Sequence, residues 1–371
     1  MVHYPIIDVL KVAAAQAIVW HHIGAYGSIS EALHAAWPTL TSWMFEHGRV
    51  AVHAFLVIAG FLASATVARR ADDTPLMAIG KRYCRLMPIY LVVLAVTCLA
   101  VAICRPGISG DWLPAPPSLP QILAHMLLVQ DLFAIPALSA GVWYLAIDLQ
   151  LFALLSLLAW LLRHTRASSS ERDFSVAVAI LTASAMLVFN RDEHLDVTAL
   201  YFLGSYGLGV MAQRCRRSTT DAVLLGTVML VGVMAMLIEP RSRLMLAMLT
   251  SLALVIGSSA GHAPARTTFA SDKPPVPGAC GDPGIARRLA DSSYALFLCH
   301  FAWVVVGNTV WDILGGAATS GDGLTATLIM VVIGIWSLSI ASALSLHRWL
   351  ESPISAHLVS RPLRNRWTMR L

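Results

Sequence analysis

The chain has 371 residues, of which 57% are hydrophobic and 13% are charged, and its formal net charge is +5. Its mean hydropathy is +0.69. Because a soluble domain carries about 25% charged residues, this composition excludes a soluble protein and predicts an all-α integral membrane protein. The positive charge does not indicate nucleic-acid binding, since the basic residues lie in short loops between apolar runs. The six cysteines form no C-x-x-C motif and no His/Cys cluster, so we expect no metal site and no permanently bound cofactor.

Apolar runs of about 16 to 23 residues predict a bundle of about ten transmembrane helices. Residues 1–350 are expected to form one membrane domain, followed by a basic cytoplasmic tail over 351–371. The segment 120–136 is apolar but short and bounded by prolines, so we expect it to be re-entrant or interfacial. The predicted spans lie near 6–26, 49–68, 86–104, 143–162, 174–189, 197–213, 222–238, 244–260, 291–313 and 324–347.

The basic residues predict the orientation of this bundle. All but six of the Lys and Arg residues lie in the loops of one side or in the C-terminal tail. Since short basic loops stay in the cytoplasm, both termini are predicted to be cytoplasmic. The exceptions are Lys11, inside the first span, and Arg49, Arg105, Arg191, Arg241 and Arg243 on the opposite side.

The first predicted span carries an acid, a base and a histidine pair: Asp8, Lys11, His21 and His22. At 100° and 1.5 Å per residue, Lys11 and His22 lie within about 20° of each other and about 16 Å apart along the helix. A charge inside a spanning helix usually faces the protein interior and indicates function. The alternative is an Asp8–Lys11 ion pair near the membrane surface, with histidines that only end the helix.

Two arginines, Arg82 and Arg85, precede the third span at a spacing of three residues. Residues so spaced share a helix face, and arginine can bind phosphates through two hydrogen bonds. They either form a phosphate clamp or only orient the helix. At the predicted outer end of the second span, Arg49 and His53 lie one turn apart, near the predicted depth of His22.

The fourth and ninth spans contribute further polar residues. Asp148 lies inside the fourth span and needs a cation or a proton there. We expect it to orient His22 as the carboxylate of a catalytic triad does, or to form a structural ion pair. In the ninth span, Tyr294 and His300 lie on an otherwise apolar helix, and a satisfied core histidine is the simpler interpretation of His300.

These motifs, in this order and over the whole chain, resemble the acyltransferase 3 family of ten-helix membrane acyltransferases. The matching residues are Ile7-Asp8-Val9-Leu10-Lys11 with His22, Gly60-Phe61-Leu62-Ala63-Ser64, Arg82-x-x-Arg85 before Met87-Pro88, Trp143-x-Leu145-x-x-Asp148, Ser293-Tyr294 with His300, and Glu351-x-Pro353. Three positions depart from the family pattern: Lys11 replaces arginine, Asp148 replaces glutamate, and Ala59 replaces the serine before Gly60. Lysine keeps the charge but lacks the fork of arginine.

The resemblance implies transfer of an acyl group, usually acetyl, from cytoplasmic acyl-CoA to a hydroxyl of a cell-envelope glycan or glycolipid, in a bacterial inner membrane. His22 would act as general base or as nucleophile, with Asp148 setting its tautomer. Lys11, Arg82 and Arg85 would bind the CoA, whose pantetheine arm would extend past Lys11 to His22. The supporting residues would be Asp8, Arg49, His53, Trp143, Tyr294 and His300.

Three other functions compete with this hypothesis. A secondary transporter also has about ten spans and intramembrane charges, but its binding residues would lie near the midplane. A membrane haem protein needs paired histidines on neighbouring helices, for which His22 and His53 are candidates. A scaffold protein would leave Lys11 and Asp148 unexplained.

Overall fold

The computed structural model describes residues 4–69, 73–107, 112–165, 171–260, 284–315 and 322–360. Within these ranges the chain forms fifteen α-helices and no β-strand, so the predicted all-α class is confirmed. The helices are α1 (Pro5–Ile23), α2 (Gly27–Ala36), α3 (Pro38–Gly48), α4 (Val52–Arg69), α5 (Pro75–Cys104), α6 (Leu119–Leu127), α7 (Val142–Thr165), α8 (Glu171–Leu187), α9 (Ala199–Arg214), α10 (Thr219–Ile238), α11 (Ser242–Ala260), α12 (Ile285–Asp291), α13 (Ser293–Gly315), α14 (Asp322–Leu346) and α15 (Ser352–Ser360).

Each of the ten predicted spans corresponds to a helix. Eight helical segments of the described chain are long and apolar enough to cross a membrane, and the protein is an integral multi-pass membrane protein. The helices at the sixth and eighth predicted spans are shorter than these eight segments. Helix α9 has 16 residues, and α11 is apolar over Ser242–Ser258. The orientation of the termini stays a prediction, and both 261–283 and the tail residues 361–371 lie outside the described ranges.

The short helix α9 lies at the centre of the bundle. Of its 16 residues, 14 are buried, as expected for a helix surrounded by other helices rather than by lipid. Its close packing on α4 depends on glycine. A Cβ at Gly209 would lie 1.8 Å from the carbonyl oxygen of Val57, and one at Gly60 would lie 2.0 Å from that of Tyr206. Gly60 of the second predicted span and Gly209 of α9 therefore serve helix packing.

The segment around α6 folds back along α5. A capping box between Ser118 and Gln121 begins the helix, and near its end the Tyr83 hydroxyl donates to the carbonyl of Met126 at 2.6 Å. Tyr83 lies about 30 Å from the Cys104 end of α5, at 1.5 Å per residue. The segment that follows α5 thus turns back along that helix, and the exposed side chains of Leu119 and Leu123 suit contact with lipid.

Helix α13 connects most of the parts that form the candidate site. Its Tyr294 hydroxyl donates to the Leu86 carbonyl of α5 at 3.0 Å, and Trp303 Nε1 donates to Ser342 of α14 at 2.9 Å. Near its other end, Asn308 binds the turn between α1 and α2. Between these contacts lies His300, which is completely buried.

Candidate active site

Two buried histidines from helices far apart in the sequence meet in the bundle. Nδ1 of His22, on α1, lies 2.8 Å from Nε2 of His300, on α13. Nδ1 of His300 lies 3.0 Å from the carbonyl oxygen of Leu296, one turn earlier in its own helix. His22 is 9% exposed and His300 is 0% exposed. The sequence predicted that His300 is a core histidine with satisfied hydrogen bonds. That interpretation did not include its contact with His22.

These contacts determine where the protons lie on both rings. A carbonyl oxygen only accepts hydrogen bonds, so Nδ1 of His300 carries a proton and donates it to Leu296. In the neutral ring, Nε2 of His300 is then an acceptor, and Nδ1 of His22 must be the donor. Nε2 of His22 is left with a free lone pair. This nitrogen is the one atom of the pair that can accept a proton from a substrate.

Aromatic side chains cover the His22 ring at the end of α1. Tyr26 stacks on it, with ring centroids 5.6 Å apart and an interplanar angle of 18°. Phe301 meets Tyr26 edge-on at 5.3 Å, and Trp112 lies 6.1 Å away. Burial raises the pKa of the Tyr26 hydroxyl, so Tyr26 is a neutral phenol. These rings form an apolar wall with polar edges, as aromatic surfaces that bind sugar rings do.

The turn that carries Tyr26 is held by one amide side chain. Oδ1 of Asn308 accepts from the backbone N–H of Ile29 at 3.0 Å, and its Nδ2 donates to the Tyr26 carbonyl at 3.3 Å. Gly27, between them, has φ of +73°, and a Cβ there would lie 2.3 Å from Oδ1 of Asn308. Glycine is therefore required at this position. Nothing in the sequence pattern indicated Asn308, because its partners are 279 to 282 residues away.

Arg82 and Asp148 form a buried, bidentate ion pair. Nε of Arg82 donates to Oδ2 of Asp148 at 3.0 Å, and Nη2 donates to Oδ1 at 2.7 Å and to Oδ2 at 2.6 Å. The guanidinium also lies 4.5 Å above the ring of Phe152. The prediction that Asp148 orients His22 is therefore wrong: its carboxylate is engaged by Arg82, and the group that fixes the tautomer of His22 is His300.

The two arginines of the Arg-x-x-Arg motif consequently occupy different surroundings. Arg82 is turned into the bundle toward Asp148, whereas Arg85 is exposed. Lys81, the neighbouring base, is bound to Asp73 at 2.7 Å. Among the basic residues 81, 82 and 85, Arg85 is the one whose guanidinium has no acidic partner within the described residues. A clamp in which Arg82 and Arg85 grip one phosphate is not the arrangement present.

A cluster of charges surrounds Lys11, at the opposite end of α1 from His22. The charges that act on Lys11 are those of Asp291, Asp8, Glu351 and Arg85. The sequence predicted Asp8 as its partner, and the structure adds the other three. They come from α12, α5 and the turn before α15, so four separate segments converge at this end of the bundle.

Glu351 lies in a five-residue π-helix, His347–Glu351, between α14 and α15. Nδ1 of His347 lies 3.0 Å from Oε2 of Glu351. π-Helical turns are rare and often occur at functional sites, and this one places an acid beside Lys11. The carboxylate of the Glu351-x-Pro353 motif is therefore inside the charged cluster and not in a solvated tail.

The remaining predicted site residues lie away from His22 or have packing roles. His53 is buried, with Nδ1 2.8 Å from Oγ of Ser205 on α9, so its partner among the described residues is a serine, whereas that of His22 is His300. Trp143 stacks on Phe202 at 5.4 Å. Arg49 is exposed at the same end of the bundle as His21 and acts on it electrostatically. Tyr294 ties α13 to α5.

Aromatic rings connect the ion pair with the histidine pair. The ring of Tyr144, which neighbours Arg82 and Asp148, lies 5.0 Å from that of Phe297. Phe297 lies 6.3 Å from the ring of His300. Sequence analysis missed Phe297, although its place three residues after Tyr294 and three before His300 was a usable signal. In the part of the chain that the structure describes, no three His, Cys, Asp or Glu residues are grouped as metal ligands.

Comparison with known proteins gives one match. A family model described as an acyltransferase domain, that of the acyltransferase 3 family, matches residues 4–346. This range includes every helix from α1 to α14, the histidine pair and the Arg82–Asp148 pair. No curated protein and no solved structure matches the chain.

Proposed function

Because the chain belongs to the acyltransferase 3 family and is a membrane acyltransferase, we propose that it transfers an acetyl group from cytoplasmic acetyl-CoA to a hydroxyl of a cell-envelope glycan or glycolipid. The observation that carries this proposal is the His22–His300 pair, which presents one basic nitrogen inside the helix bundle. Membership of an enzyme family also favours this function over the transporter hypothesis.

In the proposed reaction, Nε2 of His22 accepts the proton of the acceptor hydroxyl while the oxygen attacks the thioester carbonyl. A carbon–oxygen bond forms, the carbon–sulfur bond breaks, and CoA leaves as a thiolate. His22 then returns its proton to the sulfur, so the products are the ester and neutral CoA thiol. No proton is gained or lost overall. His300 is a positioning residue, because it touches His22 rather than the substrate.

His300 supports this step in two ways. Its Nε2 fixes the Nδ1–H tautomer of His22, so that Nε2 of His22 is unprotonated when substrate binds. When His22 becomes an imidazolium, the same contact remains a hydrogen bond to a neutral ring and holds the charged ring in place. A second buried histidine here has the role that a carboxylate has in a triad.

We assign the CoA phosphates to the charged cluster around Lys11. Arg85 is exposed there and lacks an acidic partner among the described residues, and Lys11 contributes a second cation. Guanidinium and ammonium groups both bind phosphate oxygens. From Lys11 to His22 is about 16 Å along α1, about the length of a pantetheine arm. The thioester would therefore reach His22 when the phosphates stay at Lys11.

The acceptor would enter from the opposite, outer side, next to Tyr26 and Trp112. Aromatic faces stack on the apolar faces of sugar rings, and the loops at this end offer such faces beside His22. With the predicted cytoplasmic termini, donor and acceptor would bind on different sides of a bacterial inner membrane.

The proposed function is tested on cells with and without the protein. Mass spectrometry of the surface glycans should show O-acetyl groups in cells that carry the wild-type chain and none in cells that carry His22→Ala. His164→Ala is a matched control, since His164 is an exposed histidine stacked on Trp160 at the end of α7. Equal acetylation in the His22→Ala cells would contradict the assignment.

A further inference from the structure

A tyrosine hydroxyl in the middle of the bundle has no partner. Tyr206, on α9, is 1% exposed, and its buried hydroxyl makes no hydrogen bond with any described residue. The charges that act on this hydroxyl are those of Arg82 and Asp148. A phenol buried without a partner costs about 1–3 kcal/mol relative to one that is hydrogen-bonded. The hydroxyl is thus a buried donor that no described residue satisfies.

One donor nitrogen of the neighbouring Arg82 is not used in its ion pair with Asp148. Nε and Nη2 of Arg82 are both engaged by Asp148. Nη1 carries two more N–H donors, and no described residue accepts from them. The side chain of Arg82 is 23% exposed, against 6% for Asp148.

The Arg82–Asp148 pair is connected with both ends of the proposed donor path. Tyr294 is acted on electrostatically by Glu351, from the charged cluster, and also by Asp148 and Tyr144. Tyr144 in turn contacts Phe297, and Phe297 contacts His300, with ring separations of 5.0 and 6.3 Å. The ion pair thus has neighbours that lead to the charged cluster and neighbours that lead to the histidine pair.

We propose that the Tyr206 hydroxyl and Nη1 of Arg82 form a binding site for an amide carbonyl of the pantetheine arm. This site rests on the proposed function, because it requires an acyl-CoA donor. Between its phosphates and its thioester, the arm carries amide groups whose carbonyl oxygens accept hydrogen bonds and would be costly to bury unpaired. A guanidinium and a phenol both donate, and Asp148 holds the guanidinium in place. The two arginines of the Arg-x-x-Arg motif would then bind different parts of CoA: Arg85 binds a phosphate, and Arg82 binds the pantetheine arm.

The site is tested with Tyr206→Phe, which removes the hydroxyl and keeps the ring. Binding of CoA and of adenosine 3′,5′-bisphosphate, which has the phosphorylated nucleoside but no arm, is measured on the purified full chain by calorimetry. We expect CoA to bind about three- to ten-fold more weakly to Tyr206→Phe, as for one lost hydrogen bond, with no change for the bisphosphate. Arg85→Ala should weaken both ligands.

Tyr90→Phe is the matched control. Tyr90 is also 1% exposed, and its hydroxyl also lacks a partner among the described residues. The charge that acts on it most strongly is that of Asp131, after α6, and not that of Arg82. Both variants should keep or raise the midpoint of thermal unfolding, because each removes a buried, unpartnered hydroxyl. CoA affinity should fall in Tyr206→Phe alone.

Three results would overturn the site. The first is wild-type CoA affinity in Tyr206→Phe, and the second is an equal loss for CoA and the bisphosphate. The third is a fall in the unfolding midpoint of Tyr206→Phe by several degrees, which would mean that the hydroxyl has a structural partner. Failure of the wild-type chain to bind CoA at all would instead overturn the proposed function, and this site with it.

Discussion

Nδ1 of His22 and Nε2 of His300 lie 2.8 Å apart, in a buried contact between the first and the thirteenth helix. Because His300 also donates to the Leu296 carbonyl, this contact leaves Nε2 of His22 as the free base. The chemistry proposed for the chain depends on this single relationship.

Replacement of His300 should slow the reaction without preventing substrate binding. In His300→Leu, Nδ1 of His22 loses its acceptor and the ring is free to adopt the other tautomer, so kcat should fall about 100-fold, within the usual range for general-base catalysis. KM for acetyl-CoA should change little. In His300→Gln, the amide oxygen can accept from Nδ1 of His22, so part of the lost kcat should return. Equal rates for the Leu and Gln variants would argue against a role in fixing the tautomer.

Arg82→Ala should destabilise the bundle. It leaves Asp148 buried without its cation, which typically costs about 3–5 kcal/mol. Thermal unfolding in detergent should show a lower midpoint for this variant. The double variant Arg82→Met with Asp148→Leu should recover most of the loss, because it removes both charges. If Arg82→Ala unfolds at the wild-type temperature, the ion pair does not hold α5 to α7.

Arg85→Ala should weaken the donor and leave the fold intact. Its guanidinium is exposed and has no acidic partner among the described residues, so the unfolding midpoint should stay within a degree or two of the wild type. Loss of a charged hydrogen bond costs about 1.5–3 kcal/mol, so KM for acetyl-CoA should rise roughly ten- to hundred-fold with kcat nearly unchanged. The increase should shrink at high salt, because salt screens exposed charges. An unchanged KM would remove Arg85 from the donor site.

The contact between α4 and α9 should not tolerate a methyl group at Gly209. Its Cβ would lie 1.8 Å from the Val57 carbonyl oxygen, and overpacking of this kind costs about 1–3 kcal/mol or more. Gly209→Ala should therefore lower the unfolding midpoint. Gly226, in α10, has nothing within 4 Å of its ideal Cβ, so Gly226→Ala should raise the midpoint slightly, since alanine favours helix by about 1 kcal/mol. Equal midpoints for the two variants would contradict the close approach of α4 and α9.

The fold was largely predictable from the sequence, and the partners of the site residues were not. Apolar length predicted the ten helical segments, because lipid contact imposes a uniform length on most of them. The predicted span 197–213 also matches α9, which has only 16 residues because it is surrounded by protein rather than by lipid. The partner of Asp148 depends on which side chains of neighbouring helices lie at its depth. The position of Asp148 in the sequence of its own helix does not give this information. A long side chain such as that of Arg82 reaches well beyond the depth of its own backbone.

His300 illustrates the same limit. Tyr294 and His300 lie on the same helix, α13, but bind different partners. The sequence pattern of one helix does not show which other helix packs against it. The path between Lys11 and His22, which share one stripe of α1, stays a prediction.

Acetyl transfer by the purified chain in proteoliposomes tests the central role of His22 most directly. Wild-type protein, His22→Ala and the control His164→Ala would be given labelled acetyl-CoA and a surface-glycan fraction, and labelled acetyl ester and free CoA thiol would be followed together. We expect the wild type and His164→Ala to form ester and thiol in equal amounts, and His22→Ala to form neither above background while it still binds CoA. Ester formation by His22→Ala at the wild-type rate would contradict the account.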